Sequence, residues 1–167
     1  RPETDYRQSY SAKAEEGGGI MLDCSHDIDL LQFLFGKISS FQAQSGKISD
    51  LEITSDDYFS AIGVTERGVR FSITMDYLAK RAKRTIEINT EKLTIELDLV
   101  GGFLKTADKA GKTEEKHFEI LRNKTYEDMH RSILSGDDSV CASYEDGIFL
   151  AKFFDKVRQN NTMREQK

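Results

Sequence analysis

Asp23, His26 and Asp27 are the residues best equipped for chemistry in this sequence. Their i, i+3, i+4 spacing makes them neighbours on one side of a helix. An imidazole beside carboxylates suits proton transfer, because histidine exchanges protons near neutral pH and a carboxylate can orient it. Asp29, three residues after His26, is close enough to set its tautomer. The same trio offers nitrogen and oxygen donors to a divalent ion, although no fourth ligand is apparent and no metal is assigned. A plainer reading also stands: acids in a first helical turn complement the helix dipole, with His26 satisfied locally. A second set lies upstream, where Tyr6 and Tyr10 are spaced by four with Arg7 between them. Arginine can grip a carboxylate or phosphate in bidentate fashion. Tyrosine combines a flat apolar contact with a hydrogen bond. Either these three residues reach an anionic or hydroxylated substrate, or residues 1–16 form a solvated lead-in.

The element that must position the trio is a helix over Ile20–Phe35, opened by Gly17-Gly18-Gly19 and closed by Gly36. The opening glycines let backbone come close to another group, and Gly36 suits a left-handed cap. At 100° per residue, Ile20, Cys24, Ile28, Leu31 and Phe35 share one face. Leu30, Leu34, Leu22 and Phe33 make the second half apolar nearly all round, which predicts its burial.

Strands follow. Ile38–Gln44 alternates in part. Val69, Phe71, Ile73, Met75 and Tyr77 alternate strictly with Arg70, Ser72, Thr74 and Asp76. With Tyr58–Val64 before it and a Glu66-Arg67-Gly68 turn between, this predicts an antiparallel hairpin over 58–77. Ala79–Arg84 is a basic run that reads as a solvated bend. Strands are expected at Thr85–Asn89 and Leu93–Leu99, and residues 105–116 read as a turn, with His117–Leu121 as a short exposed strand. Two helices close the chain. One covers Thr125–Leu134, with Tyr126, Met129 and Ile133 inward, a capping pair Thr125/Asp128, and His130 on the surface. The other runs from a Ser143 cap, paired with Asp146, to about Gln159, with a Phe149/Phe153/Val157 stripe and a frayed polar tail after it. The fold class is therefore α+β: an open, mainly antiparallel sheet with helices packed on one face.

Composition narrows the functions. The chain has 167 residues, 32% charged and 38% hydrophobic, with a net charge of -5. That charge argues against nucleic acid as the main partner. No apolar run approaches the ~20 residues of a membrane span, and no signal peptide opens the chain. Cys24 and Cys141 make no disulfide framework, and Cys24 on the core stripe reads as a small hydrophobe. A reducing, cytoplasmic setting is expected, so the sequons Asn123-Lys124-Thr125 and Asn160-Asn161-Thr162 are discounted. Neither repeat nor linker divides residues 1–167, which are expected to form a single domain. Arg1-Pro2, lacking a Met, suggests a fragment or a processed product.

The order Gly-Gly-Gly, three apolar residues, Asp23, His26, Asp29 and a Leu-rich run ending in Phe35-Gly36 resembles the opening of the C-terminal domain of the Gfo/Idh/MocA oxidoreductases. Asp5–Lys13 resembles the lead-in of a branch tied to surface-sugar or sugar-nucleotide metabolism. The resemblance implies the C-terminal, substrate-side and oligomerisation domain of an enzyme using NAD or NADP on a sugar, polyol or sugar-nucleotide hydroxyl or carbonyl. The family's dinucleotide-binding domain would lie upstream, since no Gly-x-Gly-x-x-Gly and no Glu-Lys-Pro occurs here. The isolated chain is then expected to be inactive and to bind no cofactor alone. In that frame His26 is the acid or base and Asp23 orients it. Arg7, Tyr6, Tyr10 and Asp27 bind substrate, and Gly18 and Gly19 face the cofactor. A homo-oligomer through the open sheet face is also implied. A non-catalytic dimerisation or binding module of the same fold, and a divalent-metal-binding domain, are the competing readings.

Overall fold

A computed structural model describes residues 5–121, 123–137, 139 and 141–165, with side chains described as far as Asn160. The Arg1-Pro2 opening and the last two residues of the expected tail lie outside the described residues. The chain divides into two compact units, Arg1–Leu78 with Ala142–Lys167, and Ala79–Cys141.

In the first unit three single-turn 3-10 helices, Tyr6–Gln8, Tyr10–Ala12 and Ala14–Glu16, lead to α1 (Ile20–Asp23) and α2 (Ser25–Phe35). A three-stranded antiparallel sheet follows, β1 (Ile38–Gly46), β2 (Tyr58–Thr65) and β3 (Arg70–Asp76), in that spatial order. The expected hairpin forms with Phe59 opposite Met75, Ala61 opposite Ile73 and Gly63 opposite Phe71. Period-two alternation puts all of these on one face. That face meets Ile20 and Met21 of α1, Ile28 of α2, and Phe153, Phe154 and Val157 of α4 (Tyr144–Glu165). Its aromatic centre pairs Phe41 with Phe153, ring centroids 4.3 Å apart, and Phe153 edge-on with Phe154 at 5.3 Å. Arg70, Ser72, Thr74 and Asp76 face outward and are exposed. Helices thus cover one face of an open sheet, the α+β arrangement the alternation implies.

The second unit holds a four-stranded antiparallel sheet in sequential order: β4 (Thr85–Asn89), β5 (Leu93–Asp98), β6 (Phe103–Asp108) and β7 (Thr113–His117). The strands expected of one sheet therefore form two. Residues 105–116, read as a turn, are mostly the β6–β7 hairpin. The turn itself is shorter, closed where Asp108 Oδ1 accepts from the Ala110 and Lys112 amides. Every residue of β7 is exposed, so no apolar alternation marked it in the sequence. His117 sits there, its Nε2 2.7 Å from Glu115. The basic run 79–84 is an exposed bend, with Arg81 and Lys83 helping to hold the Asp98 carboxyl below its ordinary range after the Gly101 and Val100 amides.

Three helical expectations change. α3 (Lys124–Ser135) starts one residue early, with Thr125 inside it and a Lys124–Asp128 ion pair in place of a capping pair. Its supposed inward stripe is open: Tyr126 and Ile133 are 61% and 63% exposed. The apolar second half of α2 is likewise only partly covered, with Phe33 63% exposed. α4 continues to Glu165, past the expected end at Gln159. Its start is as expected. The Ser143 amide donates to Asp146 Oδ2 at 2.9 Å and the Asp146 amide donates to Ser143 Oγ at 3.2 Å, a reciprocal cap.

Asp57, fully buried at the head of β2, pins the loop before it. Its carboxylate accepts from the Ile48 amide at 2.7 Å, the Ser49 amide at 3.2 Å and the Ser49 hydroxyl. Burial works to raise its pKa, but these donors outweigh it and hold the carboxyl below its ordinary value. A depressed carboxyl stabilises the fold above the unfolded value near ~3.9, and that contribution fades as pH falls through the folded value. Asp57→Asn should therefore cost about 1–3 kcal/mol near neutrality. Its gap to wild type should narrow below about pH 4, as read by urea unfolding across pH.

Candidate functional site

The expected single helix over residues 20–35 is broken at Cys24, where φ is -102° and ψ 20°. α1 is held from below by Asp56. Its main-chain oxygen accepts from the Ile20 amide at 2.9 Å, and its Oδ2 accepts from the Met21 amide at 3.0 Å. Burial raises the Asp56 carboxyl above its ordinary range; Asp23 adds to the rise, and the Met21 amide, Asp56's own amide and Arg158 oppose it.

The glycines before α1 make this seat fit. Gly19 has φ +124°, and a Cβ there would lie 2.2 Å from Asp56 Oδ1. A Cβ on Gly18 would lie 2.1 Å from the Tyr10 carbonyl oxygen. Both glycines are buried. The close approach these glycines permit within the chain is to the Tyr10 and Ser11 backbone and to the Asp56 carboxylate.

The break separates the residues grouped by spacing. Asp23 turns to Tyr77, whose hydroxyl donates to Asp23 Oδ2 at 2.6 Å. Burial, then this bond, pushes the Tyr77 hydroxyl far above the usual phenol range, so it stays protonated and donating. His26 stands at the surface, its side chain 55% exposed, with Nε2 3.9 Å from Asp27 Oδ2. Burial first, then the charge of Asp146, raises the Asp29 carboxyl above its ordinary range. The expected Asp23/His26/Asp27 cluster becomes two neighbouring groups. One is Asp23 with Tyr77. The other is Cys24, His26 and Asp27, which each bring one donor atom within 4.8 Å of the others.

The upstream set is occupied locally. Arg7 Nε binds Asp5 Oδ1 at 2.8 Å and Nη1 binds Glu52 Oε2 at 2.9 Å, which together hold its charge firmly in place. The Tyr6 hydroxyl accepts from the Glu52 amide at 3.3 Å. Tyr10 is exposed. These contacts anchor the lead-in to the loop before β2, leaving Tyr10 the most open of the three.

Sequence reasoning missed Tyr77 and Asp56 and gave Cys24 only a packing role. One signal was present for Tyr77. It follows β3 directly and continues the strand's inward-facing row, where a phenol needs a buried partner.

The fold and the site define an α+β domain in which an exposed histidine stands at the rim of a glycine-opened helix pair. The family model of the GFO/IDH/MocA C-terminal domain matches residues 1–96, and the chain belongs to that family. A comparison with curated proteins found no match. Among solved structures the chain is similar to levoglucosan dehydrogenase in complex with NADH and levoglucosan. Identity there is 17%, covering 98% of this chain and 53% of that one, with a TM-score of 0.81. It is also similar to the super-repressor mutant of Gal80p from Saccharomyces cerevisiae, 17% identical over 93% and 51%, TM-score 0.72. UDP-N-acetylglucosamine 3-dehydrogenase GnnA from Acidithiobacillus ferrooxidans is 17% identical over 85% and 47%, TM-score 0.67. The chain spans about half the length of each, and at such identities the likeness is one of fold. Among the described residues no helix is long and apolar enough to cross a membrane.

Two substitutions test this construction. Gly19→Ala forces Asp56 off the α1 amides and should lower stability by more than about 1 kcal/mol. Tyr77→Phe removes one hydrogen bond to a carboxylate and should cost about 1–3 kcal/mol in chemical unfolding. Near-wild-type stability of both would show that Asp56 and Tyr77 do not hold α1.

Proposed function

We propose that this chain is the substrate-side part of an NAD- or NADP-dependent oxidoreductase acting on a sugar, polyol or sugar-nucleotide hydroxyl or carbonyl. The observation that carries the reading is the exposed His26 imidazole on a rim whose backbone Asp56 and Tyr77 hold in place. In the oxidative direction His26 accepts the substrate hydroxyl proton, and in the reductive direction it returns a proton to the carbonyl oxygen. Asp27, beside the ring, supports the imidazolium formed in the first case. Asp23, tied to Tyr77, acts as a fixed hydrogen-bond acceptor for a substrate hydroxyl, with Tyr10 as an open aromatic contact. NAD or NADP, held by residues outside this chain, would supply the hydride chemistry.

An oligomer of the parent protein fits the same reading. Ile86, Ile88, Ile95, Leu97 and Leu104 share one face of the second sheet, whereas the outer face of the first carries Arg70, Ser72, Thr74 and Asp76. The apolar row is the better subunit contact.

Fluorescence titration with NADH and NADPH is the first test, on this chain and on the protein extended upstream. Binding by the extended protein alone is the expected result, and binding by neither overturns the reading. With a sugar substrate found, His26→Ala in the extended protein should lower kcat by about 10²–10⁴-fold.

A further inference from the structure

We propose that Cys24, His26 and Asp27 form a binding site for a borderline-soft divalent cation, with Zn²⁺ the best chemical match. In an unbroken helix Cys24 and His26 would point about 200° apart, because successive residues turn by about 100°. The break at Cys24 removes that obstacle, and one donor atom from each of the three residues comes within 4.8 Å of the other two. A tetrahedral ion with Zn–N near ~2.0 Å and Zn–S near ~2.3 Å needs its donors somewhat closer together. Side-chain rotation can supply the difference, since the His26 side chain is exposed and turns without disturbing the core.

The donor set is selective. One thiolate, one imidazole and one carboxylate suit Zn²⁺, whereas Mg²⁺ prefers oxygen ligands throughout. Asp23, the neighbour of Cys24, adds a carboxylate beside the site. The backbone that carries the site is fixed before any ion arrives, by the Asp56 bonds to Ile20 and Met21 and by Tyr77 on Asp23. Three protein donors leave a fourth position to water or a ligand. Binding releases the Cys24 thiol proton to solvent as the metal–sulfur bond forms. Binding itself does not depend on the oxidoreductase reading. One consequence does: an imidazole nitrogen bound to metal is withdrawn from proton transfer.

The test uses this chain purified without a histidine tag and stripped with a chelator. Calorimetric titration should give one Zn²⁺ per chain and little heat with Mg²⁺. Co²⁺ in place of Zn²⁺ should produce a thiolate-to-metal absorption band. Cys24→Ser should abolish the band, and His26→Ala should weaken binding by more than about tenfold. Cys141→Ser should change neither, since Cys141 sits beside Ser132 in the other unit. Circular dichroism checks that each variant folds, and His26→Ala, at an exposed position, stands as the second probe if Cys24→Ser does not. Absence of stoichiometric Zn²⁺ binding, or binding that survives both variants, overturns the site. Intact Zn²⁺ binding in His26→Ala, with activity lost when the same substitution is made in the protein extended upstream, would likewise overturn the site and leave the catalytic reading standing.

Discussion

The grip of Asp56 on the start of α1 is the constraint on which the candidate site depends. One residue supplies a main-chain oxygen to Ile20 and a carboxylate oxygen to Met21. The first amides of a helix have no partner within it, and an acceptor placed there satisfies them while favouring the positive end of the dipole. That seat requires a residue without a Cβ at position 19 and a positive φ. Gly18 and Gly19 therefore belong to the packing of the site's floor. What it positions is the chain just beyond, from Asp23 to Asp27.

A half-buried phenol bonded to a half-buried carboxylate keeps both groups satisfied. Either one alone would pay a desolvation cost. By taking Asp23, Tyr77 leaves His26 with Asp27 as its charged neighbour. The chemistry at the rim is thus set partly by a residue of the sheet, and the sheet is fixed in turn by the Phe59, Phe153 and Phe154 cluster beneath it. Packing in the core and geometry at the rim are two ends of one chain of contacts.

The fold alone does not decide activity, since a dehydrogenase and a repressor share it. Function has to be argued from the site. Here the site is one exposed imidazole and the supports around it. The second unit contributes a sheet with an apolar row and a helix, α3, whose Tyr126 and Ile133 stay open.

The sequence by itself determined the local order. Strict alternation over residues 69–77 placed Phe71, Ile73 and Met75 on the core face, and Ser143 with Asp146 marked the start of α4. Both signals are written within a few residues of the feature they specify, so periodicity and capping rules can read them. The family resemblance was legible for the same reason, in one short run from Gly17 to Gly36. Tertiary structure decided the rest. Spacing put Asp23 beside His26, but the partner that wins Asp23 is Tyr77, 54 residues away. The same fold breaks the helix at Cys24 and brings the thiol to the imidazole. The β6–β7 hairpin escaped for the opposite reason: β7 is held by backbone pairing to β6 and buries no side chain, so no pattern recorded it. Spacing reports which side chains could meet along one element, and only the packing of distant elements settles which of them do.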